Sequence, residues 1–333
     1  MTLPKPPVER LEITRLTRRE FLGGVMALAV LAACGGDDEE SSTPTPTTRA
    51  IDDMFGTVNL PDRPERVIAD NNTTLGNMLA LGVKPVGASV NLNSLPTYLA
   101  DQMEGVVDVT APDGGVDLEK ALALNPDLII AVGGNREGGW NAESCDFYRQ
   151  AATTFCYQQD YVYEEDIKQN VISVAAALGI EDAADEVIAD YDARVADLSE
   201  QVRAAGFNDK PVTVIRVFQD GTYSIRVGTS ESIVFRAIGI PQPEGQQDPE
   251  EFSIDLSLER LNVLNDAYAI VVYIDDNSQE TPESLLDLEV WQGLTPVQAE
   301  RIIFVSSGIW NSIDILGAME IMNDIEEQLL PLA

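Results

Sequence analysis

The chain has 333 residues, 44% of them hydrophobic, and a formal net charge of −35 from 56 acidic and 21 basic side chains. That length suits two domains of ordinary size, and the acidic balance argues against nucleic acid, whose phosphates need clustered Lys and Arg. The absence of histidine removes Ser-His-Asp and Cys-His catalysis and every His-ligated metal site.

The N-terminus reads as an export signal. Arg18-Arg19 precede an uncharged run, residues 21–33. Such a run is too short for a permanent membrane span and suits a signal-peptide core. The paired arginines resemble a twin-arginine signal. Leu31-Ala32-Ala33-Cys34-Gly35 resembles a bacterial lipobox, in which the cysteine thiol takes lipid and becomes the new first residue. Residues 1–33 are therefore expected to be removed and Cys34 to be lipidated; an uncleaved anchor is the alternative. Residues 1–33 carry five basic and three acidic side chains, so cleavage would take the charge from −35 to −37. Residues 34–52 are acidic and then Ser/Thr/Pro-rich, which predicts a disordered tether.

From residue 53 the chain alternates strand and helix signals. Short apolar runs at 66–69, 85–89 and 127–132 read as strands, and residues 73–81 read as a helix ending at Gly82. This alternation predicts parallel α/β layering over 53–163. Residues 164–206 then show near-helical apolar spacing through Val187, Tyr191, Val195, Leu198 and Val202, with a break at Leu178-Gly179-Ile180. A second α/β series fills 207–333, with strands at 212–218, 269–274 and 302–305 and a final helix over 313–330. The expected fold is α/β, with two Rossmann-like lobes joined by one long α-helix and a ligand cleft between them.

An internal repeat supports the division. Residues 117–132, DLEKALALNPDLIIAV, align without a gap on residues 257–272, SLERLNVLNDAYAIVV. Each copy opens on a capping residue, Asp117 or Ser257. Each places a glutamate in the first turn, where the helix dipole favours a negative charge. Each then leads into an apolar strand.

At these residues the chain resembles the ABC-importer binding proteins for ferric siderophores and vitamin B12. The resemblance covers about residues 55–330 and rests on FGTVNLPDRPERVIA at 55–69, LALGVKPVGAS at 79–89, the 117–132 unit, the linking helix and SLERL at 257–261. It implies two α/β lobes on a rigid helix, small lobe movements, and ligand held in the cleft. It also implies that Glu119 and Glu259 dock into arginine pockets of the two permease subunits, where a carboxylate on a helix end forms charge-assisted bonds with Arg. A pair of glutamates placed only for the helix dipole is the competing reading.

The ligand site in this architecture lies at the strand C-terminal ends facing the cleft. Asn72, Asn91, Arg136, Trp140, Arg216, Arg226, Tyr273 and Trp310 lie in or beside the corresponding segments. Aromatic faces and a few arginines hold a ferric siderophore without touching its iron, because the chelator fills the metal's coordination shell; the protein needs no cofactor or metal site of its own. Ordinary packing for each Trp and ion pairing for each Arg are the competing readings. Vitamin B12 and haem are the alternative ligands, with Tyr273 the one candidate axial ligand for haem, and a ligand-sensing lipoprotein is the alternative role. An enzyme is disfavoured: there is no phosphate-cradling loop with Lys and no paired Asp/Glu motif. Outside the cytoplasm, Cys145 and Cys156 are expected to form a disulfide, two buried thiols being the alternative.

Overall fold

The computed structural model describes residues 47–90, 95–112, 114–134 and 142–333. Cys34, Asn91, Arg136 and Trp140 lie outside the described residues. The described chain opens on an antiparallel hairpin, β1 (Thr48–Asp53) and β2 (Gly56–Pro61). Residues 48–52 therefore belong to a strand and not to a tether. Their order comes from polar contacts that composition does not reveal. The Arg49 guanidinium donates to the carbonyls of Ala176 and, at 2.8 Å, Ala177. Asp53 accepts from Arg149 at 2.9 Å.

The N-terminal lobe is a five-stranded parallel sheet of β3 (Val67–Ala69), β4 (Gly87–Ala88), β5 (Val107–Asp108), β6 (Leu128–Gly134) and β7 (Thr154–Gln158), in the order β5-β4-β3-β6-β7. Helix α1 (Asn72–Ala80) follows β3, with the Asn71 side chain accepting from Thr74 N. Helices α2 (Leu118–Ala123) and α3 (Ala142–Tyr148) precede β6 and β7. Cys145 of α3 is bonded to Cys156 of β7, with Cα atoms 6.4 Å apart.

The C-terminal lobe carries β8 (Val212–Val217), β9 (Tyr223–Arg226), β10 (Ser253–Leu256), β11 (Ala269–Ile274) and β12 (Ile302–Val305), in the order β10-β9-β8-β11-β12. β8, β11 and β12 are parallel, as expected, but β9 and β10 join antiparallel. This lobe is not a copy of the first.

The linking stretch differs from a rod. Helices α4 (Glu164–Leu178) and α5 (Glu181–Ala204) are separated at Gly179, whose φ of 71° is left-handed. Lys168 of α4 contacts Asp192 of α5 at 2.6 Å. In one continuous helix these residues would stand about 36 Å apart. The chain therefore folds back at Gly179. Helix α4 packs on α1 and β7 of the first lobe and also touches α6 (Ser230–Ile238) and α7 (Ile315–Asp324) of the second, against which α5 packs more extensively.

Strand parity explains the layers. Leu128, Ile130 and Val132 of β6 face a central core, as do Val212, Val214, Ala269 and Val271 across the molecule. Ile129 and Ala131 point the other way, into a core with Cys145 and Cys156. Ile215, Val217, Ile270 and Val272 do the same around Trp291. Burial on both faces is why these strands read as unbroken apolar runs. The central core is shared by both lobes and includes residues of α1, α4, α5, α6 and α7. Close-packed interiors resist deformation, so a shared core opposes wide opening more strongly than a linking helix alone would.

Candidate ligand-binding cleft

A cavity of about 230 Å³ lies between the lobes at the strand C-terminal ends. The first lobe contributes Asn72 and Thr73 from the start of α1, with Pro96 and Tyr98. The second contributes Arg216 from β8, Asp275 and Asp276 after β11, and Ser307, Asn311 and Asp314 after β12. Parallel strands ending at one edge bring together residues as distant in sequence as Asn72 and Asp314.

The polar groups of the floor are tied together. Arg216 makes a two-point pair with Asp275, Nε to Oδ1 at 2.9 Å and Nη2 to Oδ2 at 3.1 Å. Its remaining nitrogen donates to Asn311 Oδ1 at 3.3 Å. The guanidinium also lies 4.6 Å from the Phe218 ring centre. Asp276 is exposed and accepts from Ser307 Oγ at 2.8 Å.

Asp314 joins the lobes beneath the cleft. It caps α7, accepting from Gly317 N at 3.0 Å, and accepts from the Tyr98 hydroxyl of the first lobe at 2.8 Å. Burial pushes its carboxyl up to about 6, against the lowering effect of these hydrogen bonds. A Cβ on Gly76 of α1 would sit 2.4 Å from Asp314 Cγ, so glycine there lets α1 approach the α7 cap. Asn77 Oδ1 of α1 accepts from Ile315 N at 3.2 Å. The buried Oδ1 of Asn72 has no hydrogen-bond partner among the described residues.

A sequence model of the family described as "Periplasmic binding protein" matches residues 67–307. The chain belongs to the periplasmic binding protein family. Among the relatives of this periplasmic binding protein is the "Probable siderophore-binding lipoprotein YfiY" of Bacillus subtilis, 28% identical over 92% of this chain and 96% of that one. The iron(3+)-hydroxamate-binding protein FhuD of Bacillus subtilis is 26% identical over 65% of this chain and 66% of its own. Staphylococcus aureus SirA, solved in complex with staphyloferrin B, shares the fold with a TM-score of 0.70 at 23% identity, covering 85% of this chain and 98% of that one.

Two of the sequence-derived ligand candidates, Asn72 and Arg216, line the cleft of this binding protein. Three others are turned away from it. Arg226 is 3% exposed, pairs with the fully buried Glu231 at 3.2 Å and lies over the Phe252 ring. Tyr273 is fully buried and donates to the same Glu231 at 3.1 Å. It faces the central core beside Val271, so it offers no open axial position for haem. Trp310 is fully buried, donates from Nε1 to Asp324 at 2.7 Å and packs edge-on to Phe235. Each stands in a segment near the cleft but points into the interior. Tyr98 and Asp314 were not among the candidates. Asp314 carries a readable signal, a capping Asp before the apolar run Ile315-Leu316; Tyr98 carries none.

Glu119 and Glu259 are both exposed. Asp117 Oδ1 accepts from the amides of Glu119 at 2.9 Å and Lys120 at 3.2 Å, which fixes the start of α2. In the second copy the expected α-helix is a 3₁₀ segment, Leu258–Asp266, and Ser257 makes no side-chain cap to its amides. Glu259's own amide and the Ser257 hydroxyl bond its carboxylate and hold it below the usual range, hence ionised.

Proposed function

We propose that this chain captures a ferric siderophore outside the cytoplasm and delivers it to an ABC permease. The observation that carries the reading is the cleft at the strand ends, walled by both lobes and floored by a fixed polar network. Binding sites in open α/β sheets lie at this edge, and the names of YfiY and FhuD supply the ligand class. Iron arrives inside its chelator as cargo. Among the described residues no group of three or more acidic or cysteine side chains is placed to hold a bare metal ion.

Lipid on Cys34 would hold the protein at the outer face of the cell membrane. Glu119 and Glu259 would meet arginines of the permease, one from each lobe. The test is titration of the mature chain with ferric chelates, vitamin B12 and haem, followed by melting temperature. A binder raises it by mass action, and the expected response is to ferric chelates alone. A response to vitamin B12 or haem, and none to any ferric chelate, would redirect the assignment. Loss of labelled ferric-siderophore uptake on gene deletion separates an importer from a sensor.

A further inference from the structure

The charge of the cleft narrows the ligand class. Four charged side chains line it among the described residues: Arg216, Asp275, Asp276 and Asp314. The charge of the single guanidinium is already compensated, its Nε and Nη2 bonded to Asp275, while its Nη1 donates to Asn311. An anionic ligand that bonds the two N–H groups left over meets a cation already neutralised by Asp275. Asp276 is exposed and accepts from the neutral Ser307 hydroxyl, and among the described lining residues no cation other than the Asp275-paired Arg216 stands against its charge. The whole chain adds an excess of 35 negative charges, which repels polyanions and attracts cations at a distance.

Resting on the siderophore reading above, we infer that the cleft selects ferric chelates of neutral or positive charge, with Asp276 as a specificity-determining residue. A ferric trihydroxamate centre, neutral overall because three hydroxamate anions balance Fe3+, meets the uncharged edges of Asn72, Thr73 and Tyr98, and a cationic tail is stabilised beside Asp276. Citrate-like chelators that keep ionised carboxylates are disfavoured.

The test uses one linear ferric trihydroxamate in three forms: with a free terminal amine, with that amine acetylated, and with it succinylated. The iron centre is identical and only the tail charge changes. Affinity for the mature chain, read by tryptophan fluorescence at low salt, is expected to fall in that order, by about tenfold from first to last. Added salt should compress the series. Asp276→Asn keeps a partner for Ser307 and should reduce the spread to about threefold. Equal or tighter binding of the succinylated form overturns the inference. So does binding of ferric citrate in preference to all three, although the siderophore reading would then stand. If neither the trihydroxamates nor ferric citrate bind, that reading fails and the inference with it.

Discussion

The two lobes divide the work of the cleft unequally. The first offers it uncharged groups, Asn72, Thr73, Pro96 and Tyr98, whereas every charged side chain in the described lining comes from the second. Their construction differs in the same sense. The five-stranded sheet of the first lobe is wholly parallel and held at its β7 edge by a disulfide. The second pairs β8 with an antiparallel strand, β9, which ends in the buried ion pair of Arg226 and Glu231. The repeated unit shows how small sequence changes separate them. Asp117 caps two amides and Asn125 leaves α2 at a φ of 46°. The aligned Ser257 turns to Glu259 instead, and the aligned Asn265 accepts from Thr295 N at 2.7 Å. The shared pattern thus gives matched strands, β6 and β11, with different chemistry around them.

The sharpest way to break this contrast is to compare the two arginines of the second lobe. Arg226→Met leaves Glu231 buried without its counter-ion and should cost about 3–5 kcal/mol in denaturant unfolding. Arg216→Met, on the solvent-reached floor of the cleft, should cost under about 1 kcal/mol. Similar losses from both would show that Arg226 is not an interior strut. The disulfide comes next. Cys145→Ala with Cys156→Ala should lower stability by about 2–3 kcal/mol through the opened loop, leaving ligand affinity within about twofold because the charged floor lies in the other lobe. A large loss of affinity would mean that the first lobe does more than close the site.

A smaller effect should appear at the seam. The folded protein holds the Asp314 proton up to about pH 6, above its ordinary 3.8. The folded state therefore binds more protons than the unfolded one between about pH 4 and 6. The contribution of Asp314 favours folding below that window and is lost as pH rises through it. Asp314→Asn lacks this change, so wild-type stability relative to the variant should fall by roughly 2 kcal/mol from pH 4 to 6.5. A flat difference would show an ordinary carboxylate. Least of all in stability terms, Glu119→Ala with Glu259→Ala should change unfolding by under about 0.5 kcal/mol, as exposed positions do. The same pair should abolish uptake; normal transport would remove them from docking.

Much of this organisation is legible in the sequence where a local rule governs. Gly179 interrupts the linking helices, β6 and β11 are continuous apolar runs, and Cys145 and Cys156 are placed to meet. The direction of a side chain is another matter. Tyr273, Trp310 and Arg226 stand in the right segments, but one step of strand parity or one turn of helix decides whether each meets ligand or core. The fold-back at Gly179 shows in tertiary contacts such as Lys168–Asp192 and Lys168 over the Tyr191 ring, not in local sequence. Strand β1 escapes notice because its anchors, Arg49 to the end of α4 and Asp53 to Arg149, lie about a hundred residues away in sequence. Tyr98 and Asp314 meet across 216 residues, and nothing local announces that.

The central claim is that ligand sits between the lobes on the charged floor of the second. Locating the iron directly, by anomalous scattering from crystals of the mature chain grown with a ferric trihydroxamate, tests it most plainly. The expected position is beside Arg216 and Asp276, opposite Asn72. Iron bound on an outer face near Glu119 or Glu259, with the cleft vacant, would contradict it.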